Sequence, residues 1–589
     1  MISNINRQYR RLSLLNPVQR SAASKLLVMM FIGMLLEMLG VGLVVPVVAL
    51  FVQKNPFTQL PPGIPLIDQA IETMPHEQLV VIALMALATA YAIKGMFLTY
   101  LSWKRAQFAF NLQAEVAERL FFTYVSQPYT FHLRRNSAQL IRNASSEITM
   151  WTGYVVLPSL QLLAEGLVFL GLCSLLLIAE PVGTILVAFI LASLVFTFYR
   201  ILRKRLSKWG RERQYHEGMR IQHLQQSLGS IKEVKLMGRE ANFQLQFSND
   251  VFASARAGQK QAAFLQIPGL WIEFFSVFGL IILVIFLLQF GESTETVLPI
   301  LGLFAAAGFR LIPSTTRILA SLQSLRYGLP VGEKIHEELN LKIRSNSSHG
   351  INEKLVFEDC IRLKRVSFAY EGRSTSAISN VSLKIARGEF VGFVGPSGSG
   401  KSTLIDLLLG LVEPDTGNIY VDKSNIKDHI RGWQNLVGYV PQTIYLTDDS
   451  LLNNIAFGIA YTDIDHKAVQ SALKAAQLEN WVLSLPEGLN SAVGERGVRL
   501  SGGQRQRIGI ARALYHNPDV LVFDEATSAL DAPTEEAVMA SVAALKGTKT
   551  LVMISHRPST LAQCDRIYRL DQGQITHNLS PKELSQNEK

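Results

Sequence analysis

A chain of 589 residues exceeds what one hydrophobic core can organise and calls for several domain-sized units. Its mean hydropathy of +0.21 and 48% hydrophobic content are high for a soluble protein, and the excess lies before about residue 330 in long, nearly charge-free runs. The net charge of +10 does not indicate a nucleic-acid partner. Arg7, Arg10, Arg11, Arg20 and Lys25 precede the first apolar run, and Arg200, Arg203, Lys204, Arg205 and Lys208 follow the fourth, the flanking pattern of a membrane protein's inner loops.

In chain order, residues 1–25 read as a cytoplasmic segment. The apolar run after them lacks a small-residue cleavage site and is expected to be a retained span. A bilayer core about 30 Å thick takes about 20 helical residues at about 1.5 Å each. Six stretches qualify or nearly do: 26–52, 79–103, 152–178, 182–199, 270–290 and 297–318. With the N-terminus inside, this even count returns the chain to the cytoplasm. The outer segments carry Asp68, Glu72, Glu77, Glu180, Glu292 and Glu295 against Lys54, and the inner ones hold most of the Lys and Arg. In the first outer segment, Pro61-Pro62-Gly63 leads into Ile64, Ile67, Ile71 and Met74 on one helical face, which reads either as a short amphipathic helix on the outer leaflet or as a structured loop.

Residues 104–151 and 200–269 are too long for ordinary connections and keep helical composition, so the spans are expected to continue into the cytoplasm. They should fold back near 136–146 and 239–246 and there touch the C-terminal domain. A membrane domain thus covers 26–330, a linker 331–352 with its polar stretch Ser345-Asn346-Ser347-Ser348, and a soluble domain 353–589. Cys173, Cys360 and Cys564 are too scattered for a disulfide framework or a metal site, which fits a reducing cytosol.

The soluble domain carries the chemistry. Residues 390–394 read as a buried strand and 403–411 as an apolar-faced helix, with Gly395-Pro396-Ser397-Gly398-Ser399-Gly400-Lys401-Ser402 between them and Thr403 opening the helix. The glycines let backbone N–H groups close on the β- and γ-phosphates of ATP, Lys401 adds positive charge, and the Ser402 hydroxyl can ligate Mg²⁺. A second apolar run ends in Asp524-Glu525, placing two carboxylates at the carboxyl end of a strand. Asp524 is suited to hold Mg²⁺ and Glu525 to polarise the attacking water, while a third strand delivers Ser555-His556, with His556 positioned for the γ-phosphate.

On these motifs, together with Leu500-Ser501-Gly502-Gly503-Gln504, the chain resembles the ATP-binding cassette transporters along essentially its whole length. The resemblance implies a membrane α-helical bundle of six spans fused to an α/β P-loop ATPase domain. It also implies ATP and Mg²⁺ as cofactors, and ATP capped by Ser501, Gly502, Gly503 and Gln504 of a second half-transporter. Tyr370 resembles the aromatic that stacks on adenine, Gln442 the glutamine that senses Mg²⁺ and the membrane domain, and Gly494-Glu495-Arg496-Gly497 the segment that touches the coupling helices. Ser528-Ala529-Leu530-Asp531 resembles the loop crossing the dimer. Because Glu525 and His556 are both present, two copies would give two competent sites, which favours a homodimer. The order of membrane part before ATPase is similar to exporters and flippases, implying a multi-pass protein of the bacterial inner membrane with its ATPase in the cytoplasm.

Lys94, Arg310 and Arg317 fall within spans, where charge is costly unless it faces a cavity or a partner. Two copies would line a substrate cavity with a basic ring suited to a phosphate or pyrophosphate head group. The alternative is that Arg317 reaches the interface and Lys94 pairs with Glu37. The stretch 309–319, the stretch 136–143 and the outer loop resemble bacterial flippases of lipid-linked oligosaccharides, implying a lipid-linked or related amphipathic cargo drawn from the membrane. An exporter of peptides or hydrophobic drugs and an ATP-gated channel or regulatory subunit are the competing readings; intact Glu525 disfavours the last.

Overall fold

The computed structural model describes residues 16–44, 47, 75–179, 181–289, 294–341, 355–372, 375–526, 531–555 and 557–583. The expected amphipathic outer loop around Ile64–Met74, residues 64–74, lies outside the described residues. Two compact units result: Met1–Val125 with Arg135–Ile343, and Ser126–Arg134 with Arg344–Lys589.

The first unit is helical. Helix α1 (Pro17–Gly42) starts at a capping box in which the Asn16 N–H donates to Gln19 Oε1 at 2.8 Å, with proline at the first helical position. Helix α2 (His76–Val125) ends where Pro128 forbids continuation, and a short helix α3 (Tyr129–Arg134) follows. Helix α4 runs from Ser137 to Ile178 and is widened by π-helical stretches at Asn143–Glu147 and Thr152–Val156. Then come α5 (Pro181–Gly229), the short α6 (Ile231–Leu236), α7 (Glu240–Gln289) and α8 (Thr294–Leu339). Among the described residues, α1, α2, α4, α5 and α7 each contain a stretch long and apolar enough to cross a membrane. Helix α8 carries the sixth expected span, residues 297–318.

Two expectations are corrected. The chain reversals come about eight to ten residues earlier than the expected 136–146 and 239–246. Asn136 is instead the N-cap of α4, its Oδ1 accepting from Ala138 N at 2.8 Å, and the second reversal is made by Gly229-Ser230 and by Gly238 at φ +59°. The polar stretch 239–246 opens α7, its first-turn Glu240 suiting a helix start. Likewise 331–339, expected in the linker, are the last turns of α8, where Val331, Ile335 and Leu339 are buried at helical spacing.

The helices pack through small cores. Met34 and Val41 of α1 meet Val168, Leu172 and Leu176 of α4 and Phe304, Ala307 and Leu311 of α8. Farther along the helices, Leu202, Leu206 and Trp209 of α5 enclose Ala257 of α7 and Tyr327 of α8. Helices α5 and α8 pack tightly at Gly210, where a side-chain carbon would lie 2.2 Å from the carbonyl oxygen of Tyr327.

The second unit is an α/β domain. Its six-stranded sheet has the order β10-β9-β3-β8-β7-β6, with β3 (Phe390–Val394), β6 (Val437–Val440), β7 (Val520–Asp524), β8 (Thr550–Ile554) and β9 (Arg566–Asp571) parallel and β10 (Gln574–Leu579) antiparallel at the edge. The strands β3, β7 and β8 are almost wholly apolar and buried, as parallel strands covered on both faces must be. A four-stranded antiparallel sheet, β2-β1-β4-β5, uses β1 (Cys360–Phe368), β2 (Ile378–Ala386), β4 (Thr416–Val421) and β5 (Ser424–Asn425). Strand β8 lies between β3 and β7, so the loop after β3 and the carboxylates after β7 emerge on one sheet edge, one strand apart.

Gly210→Ala places a methyl against a backbone oxygen that has nowhere to move, at a cost of about 1–3 kcal/mol. The thermal midpoint of the purified protein in detergent is expected to fall by several degrees, whereas Gly258→Ala, which meets no neighbouring atom within 4 Å, leaves it unchanged or raises it.

Candidate functional site

The loop after β3 wraps the start of helix α9 (Lys401–Leu408). Gly398 at φ +81° and Gly400 at φ +100° adopt left-handed conformations that place the turn at the helix N-terminus. Lys401 is buried, and its ammonium donates to the loop's own carbonyls, Gly395 O at 2.8 Å and Pro396 O at 2.9 Å. Burial pushes its pKa down, opposed by Glu525 and Asp524. Tyr370 is held edge-on against Phe368, ring centroids 5.0 Å apart, and its hydroxyl lies 3.3 Å from Thr403 Oγ1. Ser402 follows Lys401 in the first turn of α9.

The carboxylates at the end of β7 are crowded. Asp524 is pushed above its usual range by burial first and then by adjacent Glu525; the Tyr439 hydroxyl, donating from neighbouring β6 at 3.5 Å, and Lys401 oppose the shift. Glu525 sits at φ +49°, a left-handed conformation uncommon for a residue with a side chain, which turns its carboxylate away from the strand direction. Gln442 donates to Glu525 Oε2 at 2.7 Å. Asp406, one acid in the otherwise apolar Leu404–Leu408 stretch of α9, is pushed up to about 6 by burial and by Asp524. Tyr439 is raised as well, by burial, Asp524 and Asp406.

The oxygen donors of Ser402, Asp524 and Gln442 fit Mg²⁺, a hard cation that takes oxygen ligands. The mutual repulsion of Asp524 and Glu525 is the observation in favour: a divalent cation relieves what Tyr439 and Lys401 only partly offset.

Ser501 caps helix α10 (Gly502–Leu514) in a reciprocal pair: its Oγ accepts from Gln504 N at 3.2 Å, and its own N–H donates to Gln504 Oε1 at 2.9 Å. Gly502 and Gly503 thereby form a helix N-terminus of the kind that binds anions. Asp531 caps helix α11 (Ala532–Ala543) and is pushed down by the hydrogen bond from Thr534. His556 and residues 527–530 lie outside the described residues. Helix α3 belongs to this unit: Arg134 pairs with Glu371, and Tyr129 lies within electrostatic reach of Asp406 and Tyr370.

In the helical unit, the three intramembrane cations converge on two carboxylates. Lys94 of α2 and Arg310 of α8 reach Glu37 of α1 at 3.4 and 3.0 Å. Arg310 also lies 3.8 Å from Glu165 of α4, to which Arg317 pairs at 2.8 Å and Ser314 Oγ donates at 2.8 Å. Lys94 thus takes the alternative partner anticipated for it, whereas Arg317 is tied to Glu165. Glu165, Tyr439 and Asp406 were not singled out from the sequence. Each was visible there as a polar residue inside an apolar run, at 157–179, 437–440 and 404–412 respectively.

A bundle of long apolar helices joined to a phosphate-loop domain with paired carboxylates defines an ATP-driven membrane transporter. Residues 64–294 match the family described as ABC transporter transmembrane region, and residues 378–528 that described as ABC transporter. An ATP-dependent lipid A-core flippase of Thiobacillus denitrificans is 30% identical over 516 residues, covering 87% of this chain and 88% of the relative. Proteins of the same description from Cupriavidus metallidurans (32% over 483 residues; 79% and 78%) and Ralstonia nicotianae (31% over 477 residues; 80% and 79%) are also similar. A bacterial Atm1-family ABC exporter solved with ATP bound shares the fold at a TM-score of 0.80 over 98% of this chain and 97% of that one, at 22% identity. The chain belongs to the ABC transporter family, with the exporter fold and ATP hydrolysis coupled to transport.

Asp406 gives a pH test. Its folded-state pKa is raised, so the associated stability is present below the unfolded value near 3.8 and lost as pH rises through about 6. In EDTA and without nucleotide, Asp406→Asn is expected to raise the thermal midpoint at pH 7.5 and to leave it nearly unchanged at pH 4. Equal effects at both values would show that Asp406 is not held against Asp524.

Proposed function

We propose that two copies of this chain form an ATP-driven flippase in the bacterial inner membrane. It turns an anionic glycolipid, of the lipid-linked oligosaccharide kind or a related phosphate-bearing amphiphile, from the inner to the outer leaflet. The observation that carries this reading is the intramembrane network, in which Lys94, Arg310 and Arg317 share Glu37 and Glu165. Three cations on two carboxylates leave a positive excess, and the Arg317 side chain is 47% exposed. A head group with phosphate oxygens suits such donors, Arg offering a planar fork to each. An exporter of apolar drugs or peptides has no use for this excess. The similarity to lipid A-core flippases supports a lipid cargo.

In the ATPase half, Lys401 and the glycine loop bind the phosphates and Tyr370 offers its ring to adenine. Ser402, Asp524 and Gln442 would hold Mg²⁺, which would supply positive charge against the negative charge developing on the phosphates. Glu525 polarises the attacking water, with Gln442 fixing its carboxylate and His556 assigned to the γ-phosphate. The Ser501-Gly502-Gly503-Gln504 helix start of the second copy caps the nucleotide, and Asp531 borders the same interface. Helix α3 carries the movement, Arg134 on Glu371 fastening it to the ATPase domain.

Glu525→Gln is expected to retain ATP binding while turnover falls about 10²–10⁴-fold; hydrolysis persisting near the parent rate would remove Glu525 from this role. In proteoliposomes, Arg310→Ala and Arg317→Ala should reduce translocation of a polyprenyl-pyrophosphate glycolipid at least several-fold more than basal ATPase activity. Equal loss of both would argue that the cations only hold helices together.

A further inference from the structure

A cavity of ≈ 450 Å³ opens between the cytoplasmic parts of α4, α5 and α8, away from the intramembrane cations. Its wall presents Arg142, Arg211 and Lys334 together with the amides of Asn136, Gln139 and Gln222, and no carboxylate lines it among the described residues. The size is that of a small-ligand site; its charged groups are all cations, set among amides and the apolar surfaces of Tyr215 and Met219.

The charge around this cavity does not balance. Arg142 is only 9% exposed, yet its Nε has no hydrogen-bond partner. Its Nη1 and Nη2 make only long bonds, to Gln214 O and Asn143 Oδ1, both at 3.4 Å. Glu147 lies 3.7 Å from Arg142 and 3.9 Å from Arg213, too far to hydrogen-bond either, and Glu338 is shared by Arg135 at 2.8 Å and Lys334 at 2.9 Å. Two buried carboxylates therefore serve four cations, with Glu337 touching Lys334 only at the surface. Arg211 adds a fifth cation without an ion pair among the described residues. A buried, half-satisfied guanidinium is costly unless an anion completes it. Gly218 shows that the arrangement is built: a side-chain carbon there would lie 1.9 Å from Arg142 Nη1, so glycine is what lets the guanidinium lie across α5.

Position selects the kind of anion. Arg142 precedes its expected span by about ten residues, Arg211 follows its own by about twelve, and Lys334 by about sixteen, or roughly 15–24 Å at about 1.5 Å per residue. The head-group layer extends only about 5–8 Å beyond the hydrocarbon core. A lipid phosphate does not reach so far, whereas a solute does. We propose that this cavity is a cytosolic binding site for a small soluble phosphoanion, pyrophosphate or a compound carrying it, held by Arg142, Arg211 and Lys334. The assignment stands apart from the proposed lipid cargo, and either can fail without the other.

The test uses the full-length protein in detergent with its nucleotide sites saturated by a non-hydrolysable ATP analogue, so that the phosphate loop does not take up the probe. Equilibrium dialysis against labelled inorganic pyrophosphate is expected to show one saturable site per chain. Arg211→Gln, an exposed position whose change spares the fold, should weaken it at least about tenfold, while Arg310→Gln leaves it unaltered. Absence of saturable binding, or binding lost in Arg310→Gln and kept in Arg211→Gln, would overturn the proposal. In a second arm, a polyprenyl pyrophosphate in nanodiscs should bind Arg211→Gln as it binds the parent. If Arg211→Gln weakens the lipid and not free pyrophosphate, the cavity is a head-group station and the soluble-anion assignment falls.

Discussion

Charge inside a low-dielectric bundle has to be met by opposite charge at short range, and the membrane half of this chain is arranged around that demand. Glu37 on α1 and Glu165 on α4 are both buried, and each holds two cations drawn from other helices. The desolvation of such groups is of the same order as their attraction, so the network contributes less to stability than to register. Around these carboxylates α1, α2, α4 and α8 must meet at one level, and the apolar contacts of Met34, Leu172 and Leu311 fill in between.

The ATPase half meets the opposite problem, acids crowded among acids. Asp524, Glu525 and Asp406 gather at the end of the central strands, where burial first, and the neighbouring acid second, pushes the Asp524 and Asp406 carboxyls above their ordinary range. A cationic ligand would relieve such repulsion, and the Tyr439 hydroxyl donates to Asp524 at 3.5 Å. Glu525 differs in kind. Its left-handed backbone is a local strain that the β7–β8 pairing sustains, the Glu525 N–H donating to Ile554 O at 3.1 Å.

Much of this was legible in the primary structure, for identifiable reasons. The phosphate loop, the carboxylate pair and the Ser501–Gln504 cap are contiguous in sequence, and their local geometry follows from glycine conformation, strand ends and capping chemistry. Five of the six expected apolar stretches were equally plain from length and composition, and lie in helices apolar enough to cross a membrane among the described residues. What escaped were long-range pairings: Glu165 with Arg317, separated by 152 positions, and Tyr439 with Asp524, separated by 85. The chain reversals lie earlier than polar composition suggests because Pro128, Asn136 and Gly238 set the backbone directly. Helix α8 was cut short for a similar reason, since its charged last turns look like linker until Val331, Ile335 and Leu339 are seen to share one buried stripe.

Helix α4 ties these observations together. Its two π-helical stretches, Asn143–Glu147 and Thr152–Val156, interrupt the regular ladder just after Arg142 and well before Glu165. A wide turn carries one residue more than its neighbours and so rotates the helix face beyond it relative to a regular ladder. The two inserts therefore set the angle between the face of α4 that turns Arg142 toward α5 and the face that turns Glu165 toward Arg317.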